Sequence, residues 1–477
     1  MKQKLYKYRK ILLAFLAIYL AVMIYHVYKP LPDGISFKGE NHQISSENIE
    51  FYYNLTEQKG NQKQFDDQIF QRTLEMIEEA DQFIVADYFL FNSYHEAAKE
   101  YPEITGTIAA KLIEKKQKNP DMSIIFISDG VNSSYRSHPV PELERMKEQG
   151  IEVVMTNVKP LRDSTPVYSA LWRIFFQWFG HEGEGWMPNA LAATAPEMTV
   201  RSYLDLFNIK ANHRKTLTTE KGTLISSANP HDASAFFANV AIEVKDTALV
   251  NDVLKTEQAA ASLSEDIRFP KAVERENEQK DAYAQLLTEG AIQEEVISEI
   301  ESTEKGDEIW LAMFYLADRN VVRGLTDAAN RGVEVRMVLD TNKHSFGKKK
   351  TGLPNVSTTD ELREDTNGRI KVRWYAPAPE QFHPKMMYIK HKNYSTIIGG
   401  SANFTSRNLN DFNLETDIKL TVKNESEIAA AIDHYYRMIW NNQGAVYTVE
   451  YNEQDTSIAP LQRGIYAIQK LLHLTTY

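Results

Sequence analysis

The chain contains no cysteine. That removes disulfides, thiolate catalysis and cysteine-based zinc sites together. Nor does it have an excess of basic residues: formal net charge is −11, with Lys+Arg 54 against Asp+Glu 65. Lys2, Lys4, Lys7, Arg9 and Lys10 crowd into the first ten positions, so the rest of the chain is more acidic still. Such a surface repels polyanions, and nucleic acid is not expected as a partner. His181, His231, His344 and His391 lack partners at a recognisable metal-ligand spacing and read as surface residues. His231, two positions beyond Asn229, is the exception, placed at the rim of any pocket there. No metal and no cofactor is expected. A hydrophobic content of 43% over 477 residues predicts a packed core, in two domains or one large pseudo-twofold unit.

One hydrophobic run stands out. Ile11 to Tyr28 is almost wholly apolar, with His26 its one strongly polar side chain. At about 1.5 Å per residue such a helix spans roughly 27 Å, close to the hydrocarbon thickness of a bilayer. No small-x-small cleavage site follows, which favours an uncleaved anchor over a signal peptide. Basic residues precede the span, and only Lys29 and Lys38 follow closely. That bias places residues 1–10 in the cytoplasm and the body of the chain outside a cell membrane, in a bacterial setting.

Residues 29–46 are polar and broken by Pro30, Pro32, Gly34 and Gly39, and read as a linker. A first half follows over 47–269. Its signals are helical periodicity in Gln68–Ala80, a strand at Phe83–Ala86, and a further strand at Ile151–Met155 after Gly150. The Glu- and Lys-rich stretch Ala272–Asp281 joins it to a second half over 270–477, where Ala291–Ser302 has helical spacing ahead of a strand at Trp310. Alternating helix and strand predict an α/β class with mixed sheets. Within an insertion over 162–200, Trp172, Phe175, Phe176 and Phe179 fall on one helical face, widened by Ile174 and Trp178. Two readings stand nearly level: a buried core helix, or a helix at a membrane interface. Lys348–Lys350 reads as a solvated loop, with contact to anionic headgroups as the rival.

Two short stretches nearly repeat one another. Asn212-His213-Arg214-Lys215 is followed by Ser226-Ser227-Ala228-Asn229, and Phe382-His383-Pro384-Lys385 by Gly400-Ser401-Ala402-Asn403. Glu243 and Glu415 lie a little further on. A His and a Lys two apart on a strand point to the same face. Two such faces brought together put two imidazoles, two ammonium groups and two amides around one point, which suits a phosphate ester.

The paired motifs resemble the duplicated HxK motifs of the phospholipase D superfamily. So do Trp310–Asp340 and its weaker counterpart, Phe83–Phe89 with Ile124–Asp129, which are similar to the starts of that family's half-domains. The resemblance implies two phospholipase D-like halves packed about a pseudo-twofold axis, with the site between them. It implies metal-independent phosphodiester exchange through a phosphohistidine. By analogy His213 is the nucleophile and His383 the acid and base, although the residues themselves leave that order open. Lys215, Lys385, Asn229 and Asn403 bind phosphate, assisted by Ser227 and Ser401, while Glu243 and Glu415 orient the histidines. The implied partners are membrane phospholipids such as phosphatidylglycerol, with water or an alcohol as acceptor, as in cardiolipin synthases. Where the family often has Asp five residues after Lys, this chain has Glu220 and Lys390, and Ser226 replaces a usual Gly. A nuclease of the same fold, or an inactive membrane-tethered binding module, are the rival functions.

Overall fold

The computed structural model describes residues 2–59, 62–96, 100–180, 183–273, 280–345, 348–349, 351–377 and 380–453. His181, Lys350 and most of the expected join between halves lie outside them.

Runs of β-branched and aliphatic residues form two sets of seven strands. The first set is β1 (Ile49–Lys59), β2 (Phe83–Tyr88), β3 (Ser123–Asp129), β4 (Glu152–Thr156), β5 (Lys215–Thr219), β6 (Gly222–Ser226) and β7 (Asn239–Val244). The second is β8 (Ala282–Thr288), β9 (Glu308–Met313), β10 (Glu334–Leu339), β11 (Lys371–Tyr375), β12 (Lys385–Lys390), β13 (Tyr394–Gly400) and β14 (Thr416–Lys423). Within an eight-stranded and a nine-stranded sheet, whose further edge strands are Gln62–Asp67 in the first and His42–Ile44 and Thr448–Glu450 in the second, their spatial orders are β1-β7-β6-β5-β2-β3-β4 and β8-β14-β13-β12-β9-β10-β11. One order maps onto the other strand for strand. The senses match too: β2, β3 and β4 are mutually parallel, as are β9, β10 and β11, and the other neighbours are antiparallel. Each half is thus a mixed α/β sheet, and the chain is a structural duplication.

Helices cover the sheets where apolar spacing calls for them. The helix expected over Gln68–Ala80 runs Ile69–Glu79, and that over Ala291–Ser302 runs Gly290–Ser302. Between the halves lies one continuous core, in which Ile225, Val240 and Ile242 pack with Leu286, Trp310, Ile397 and Ile418. Two sheets meeting through such a core leave the strand ends at the seam as the place for a shared site.

Three expectations are modified. The linker is not free of the fold: His42–Ile44 pairs antiparallel with β8, and the Gly39 and Ser36 amides donate to Leu286 O (2.8 Å) and Glu289 Oε2 (2.7 Å). Polar composition conceals an edge strand there, because only one of its faces needs to be apolar. The insertion helix is shorter than its aromatic run, spanning Pro166–Phe175. Trp172 is buried, whereas Phe175, Phe176, Trp178 and Phe179 are exposed, so neither reading of that face holds for all of it. His391 is not a surface residue either; it is buried, its Nδ1 2.8 Å from Asp307. The N-terminal helix, Tyr6–Tyr28, is long and apolar enough to cross a membrane.

Candidate active site

The HxK segments enter β5 and β12, the middle strands of the two sheets. Each is tied to the opposite half by backbone. His213 N donates to Leu414 O and His383 N to Ala238 O, both at 2.9 Å. Just upstream, Asn212 N and Phe382 N each donate at 2.7 Å to the buried carboxylates Asp129 and Asp340, at the ends of β3 and beyond β10. Four equivalent bonds, two per half, therefore fix the entry of each motif and bring both to the seam.

The side chains repeat this symmetry. Lys215 Nζ donates to His213 O (2.5 Å) and Lys385 Nζ to His383 O (2.7 Å). Each ammonium also lies over an aromatic ring, Lys215 over Phe89 at 5.3 Å and Lys385 over Phe314 at 5.2 Å. Those same rings touch the imidazoles, Phe89 with His213 at 4.8 Å and Phe314 with His383 at 5.0 Å between centroids. Neither phenylalanine was singled out from the sequence. Both directly follow the strand that opens a half and pairs with the HxK strand, β2 or β9, and that matched position was the available signal.

The symmetry breaks at the groups behind the imidazoles. His213 Nδ1 is 2.9 Å from Glu415 Oε2, and His383 Nδ1 is 3.0 Å from Asn239 Oδ1. Ser401 Oγ donates to Glu415 (2.5 Å) and Ser227 Oγ to Asn239 (2.9 Å), so Asn239 is the structural counterpart of Glu415. Asn408 Nδ2 donates to the other oxygen of Glu415. The expectation that Glu243 orients a histidine is thus corrected. Glu243 lies four residues further along β7, about 13 Å at about 3.3 Å per residue. Its carboxylate accepts from Arg72 Nε (2.8 Å) and Nη2 (3.0 Å). Ser227 and Ser401 sit behind the histidines, with their hydroxyls donated to these partners. Asn229 Oδ1 accepts from Leu90 N at 3.2 Å, and Asn403 Oδ1 is buried with no hydrogen-bond partner among the described residues.

Electrostatically the site is two buried lysines whose charged forms burial and their own proximity disfavour. Burial, then Lys215 and Lys385, hold the His213 imidazole well below its usual 6.5. Burial, Lys385, Lys215 and His213 do the same to His383. Lys215 is pushed down to about 7 by burial, against the pull of Glu415. Lys385 falls well below its usual value through burial and Lys215. Burial raises Glu415 to about 7, with Lys215 opposing. An anionic phosphate placed between the ammonium groups would relieve this mutual repulsion.

The departures from the expected motif lie outside the site. Glu220 accepts from Asp81 N (2.9 Å) and Gln82 N (3.2 Å), capping the turn before β2. Lys390 pairs with Asp433 at 3.3 Å, so its reversed charge is compensated on the surface of the second half. Ser226 Oγ accepts from Ala228 N at 2.8 Å. Beside the histidines an opening of about 130 Å³ is lined by Phe89, Leu90, Val131, Leu191, Phe236 and Phe237 among others. His231 lines it too, as its place after Asn229 predicted, but it is buried between Ser234 Oγ (3.0 Å) and Tyr94 O (3.1 Å).

Residues 296–440 match the family model described as "Cardiolipin synthase, PLD-like domain". No curated protein matches the chain in sequence. Among solved structures it is similar to phosphatidylserine synthase of Haemophilus influenzae Rd KW20, with a TM-score of 0.57, 12% identity, and coverage of 91% of this chain and 94% of that one. At that identity the likeness is one of fold. Polyphosphate kinase of Porphyromonas gingivalis matches with a TM-score of 0.46, 14% identity, and coverage of 89% and 53%. The phospholipase D family member Nuc of Salmonella typhimurium matches at 0.28, 21% identity, and coverage of 36% and 99%. These last two are too distant to carry an argument.

Proposed function

We propose that the chain, whose residues 296–440 match a phospholipase D-like domain and whose fold resembles that of a phosphatidylserine synthase, is a membrane-anchored phosphodiesterase or phosphatidyltransferase of the phospholipase D superfamily acting on phospholipids. The observation that carries this reading is the cross-half pairing that sets His213 and His383, with Lys215 and Lys385, around one buried point. The apolar opening beside them supports a lipid rather than a polyanion.

His213 Nε2 attacks phosphorus while His383, protonated, gives its Nε2 proton to the departing headgroup oxygen. A P–N bond forms as the P–O bond breaks, leaving a phosphatidyl-histidine and a neutral His383. Water or an alcohol then loses its proton to His383 and attacks phosphorus, and the P–N bond breaks. The unequal partners support this order of roles. A phosphorylated imidazole with its Nδ1 proton is cationic, and Glu415 is the carboxylate placed to stabilise it. His383 has to exchange a proton readily, and the neutral Asn239 fixes its tautomer without holding that charge. Lys215 and Lys385 stabilise the equatorial oxygens, where negative charge gathers in the transition state. Asn229 and Asn403 complete the phosphate site. The Tyr6–Tyr28 helix anchors the enzyme, with residues 1–10 cytoplasmic and the body extracytoplasmic.

The test is headgroup release or exchange from labelled phosphatidylglycerol by purified full-length protein in detergent micelles. Turnover that His213→Asn and His383→Asn each abolish supports the reading. A wild type inert on phospholipids but active on nucleic acid would replace it with a nuclease, and one inert on both with a binding module.

A further inference from the structure

The insertion does more than decorate the first half. Its helix, Pro166–Phe175, runs antiparallel alongside the N-terminal helix and touches it at both ends. Asp163 N donates to His26 O at 2.9 Å, and Tyr19 Oη donates to Val167 O at 2.8 Å. Further down, the rings of Phe15 and Phe175 meet at 5.9 Å. From His26 to Phe15 is eleven residues, about 16 Å of helix at about 1.5 Å per residue. That is about half of a hydrocarbon core of about 30 Å. If the anchor spans the bilayer, a helix fastened to it over this length has to descend with it.

The chemistry of the descending tip agrees. Phe175, Phe176, Trp178 and Phe179 are exposed there, Trp178 at 74%, on a face continuous with the exposed anchor. Contiguous exposed aromatics of this kind mark a surface that another apolar phase covers. The tip's polar groups are satisfied internally, as a lipid environment demands. Phe176 N donates to Trp172 O (2.8 Å), Gln177 Nε2 to Arg173 O (2.7 Å) and Trp178 Nε1 to Ile174 O (3.2 Å). The helix's one charge, Arg173, is buried against Asp163 in two bonds of 2.7 Å, facing the protein.

We propose that the Pro166–Phe179 part of the insertion is a membrane element, its helix seated in the leaflet on the side of the folded body, with acyl chains covering the Phe175–Phe179 tip. The proposal rests on the anchor reading above. Leu191, further along the insertion, walls the apolar opening beside the histidines, which would let a phospholipid enter sideways from that leaflet.

A chain without cysteine makes the test clean. Single variants Trp178→Cys and Phe179→Cys of the full chain carry an environment-sensitive fluorophore, with Leu16→Cys marking the anchor and Lys392→Cys the exposed body. The proteins are reconstituted in phosphatidylcholine and phosphatidylglycerol vesicles and quenched by mid-chain nitroxide lipid or by aqueous iodide. The expected result is that the 178 and 179 labels follow Leu16→Cys, quenched several-fold more by nitroxide lipid than Lys392→Cys and shielded from iodide. Iodide quenching at 178 and 179 while Leu16→Cys responds to lipid overturns the proposal alone. Shielding of both tip labels from both quenchers points to a protein cover and also overturns it. Iodide quenching of Leu16→Cys removes the anchor reading, and the proposal with it.

Discussion

Replacing Glu415 by Gln and Asn239 by Ala asks whether the two histidines are as unequal as their partners. Glu415 is fully buried and 2.9 Å from His213 Nδ1, so Gln at that position removes charge from a contact that solvent does not screen. A hydrogen bond to a charged group contributes about 1.5–3 kcal/mol, which at about 1.36 kcal/mol per tenfold predicts a loss of about 13- to 160-fold in kcat. Asn239→Ala removes a neutral bond worth about 0.5–1.5 kcal/mol, a loss of about 2- to 13-fold. The acid side of the pH profile should follow. Glu415 is raised to about 7, so its charge is present above that pH and is lost as pH falls through it. Wild-type kcat should therefore decline below pH 7, and the Gln variant should lack that limb. The assay is pre-steady-state headgroup release, with melting temperature measured to confirm that each variant folds. A larger loss from Asn239→Ala than from Glu415→Gln, in folded protein, would refute the assignment of His213 as nucleophile.

Three further outcomes follow from the same geometry. At pH 8 Lys215, held at about 7, is mostly neutral, and an anion restores its charge; calorimetry in buffers of different ionisation enthalpy should show proton uptake when inorganic phosphate or vanadate binds. Glu220→Ala exposes the Asp81 and Gln82 amides to a lost acceptor and should cost about 1–3 kcal/mol in denaturant unfolding with little change in kcat. Lys390→Ala breaks only a partly exposed pair with Asp433, and both stability, within about 1 kcal/mol, and turnover should survive.

What was readable in the sequence was what lies close along the chain. Helical spacing located Ile69–Glu79 and Gly290–Ser302 to within a residue or two, because each buries its own periodic face. The HxK and Ser-x-Asn repeats marked the residues that the seam gathers. Asn239 was missed because its relation to His383 passes through the opposite half, and no spacing along one chain encodes it. Glu243 misled for a related reason: twelve residues separate Ser227 from Asn239 but fourteen separate Ser401 from Glu415, so a search for the next acid overshoots along β7. Phe89 and Phe314 looked like the last apolar residues of their strands, and only the cross-sheet geometry turns them toward the imidazoles and ammonium groups. The aromatic insertion was ambiguous because its helix has two apolar neighbours, the folded body at Trp172 and the anchor at Phe175, and composition cannot tell one from the other.

The central claim, a covalent path through His213, is tested most directly by trapping. His383→Asn removes the base that activates the acceptor, so incubating that variant with a phospholipid bearing an activated headgroup should accumulate a phosphatidyl-enzyme. Mass spectrometry of the digested protein should place an acid-labile adduct on the peptide containing His213. An adduct on the His383 peptide of a His213→Asn variant instead, or a wild type that turns over with no adduct under any quench, would contradict it.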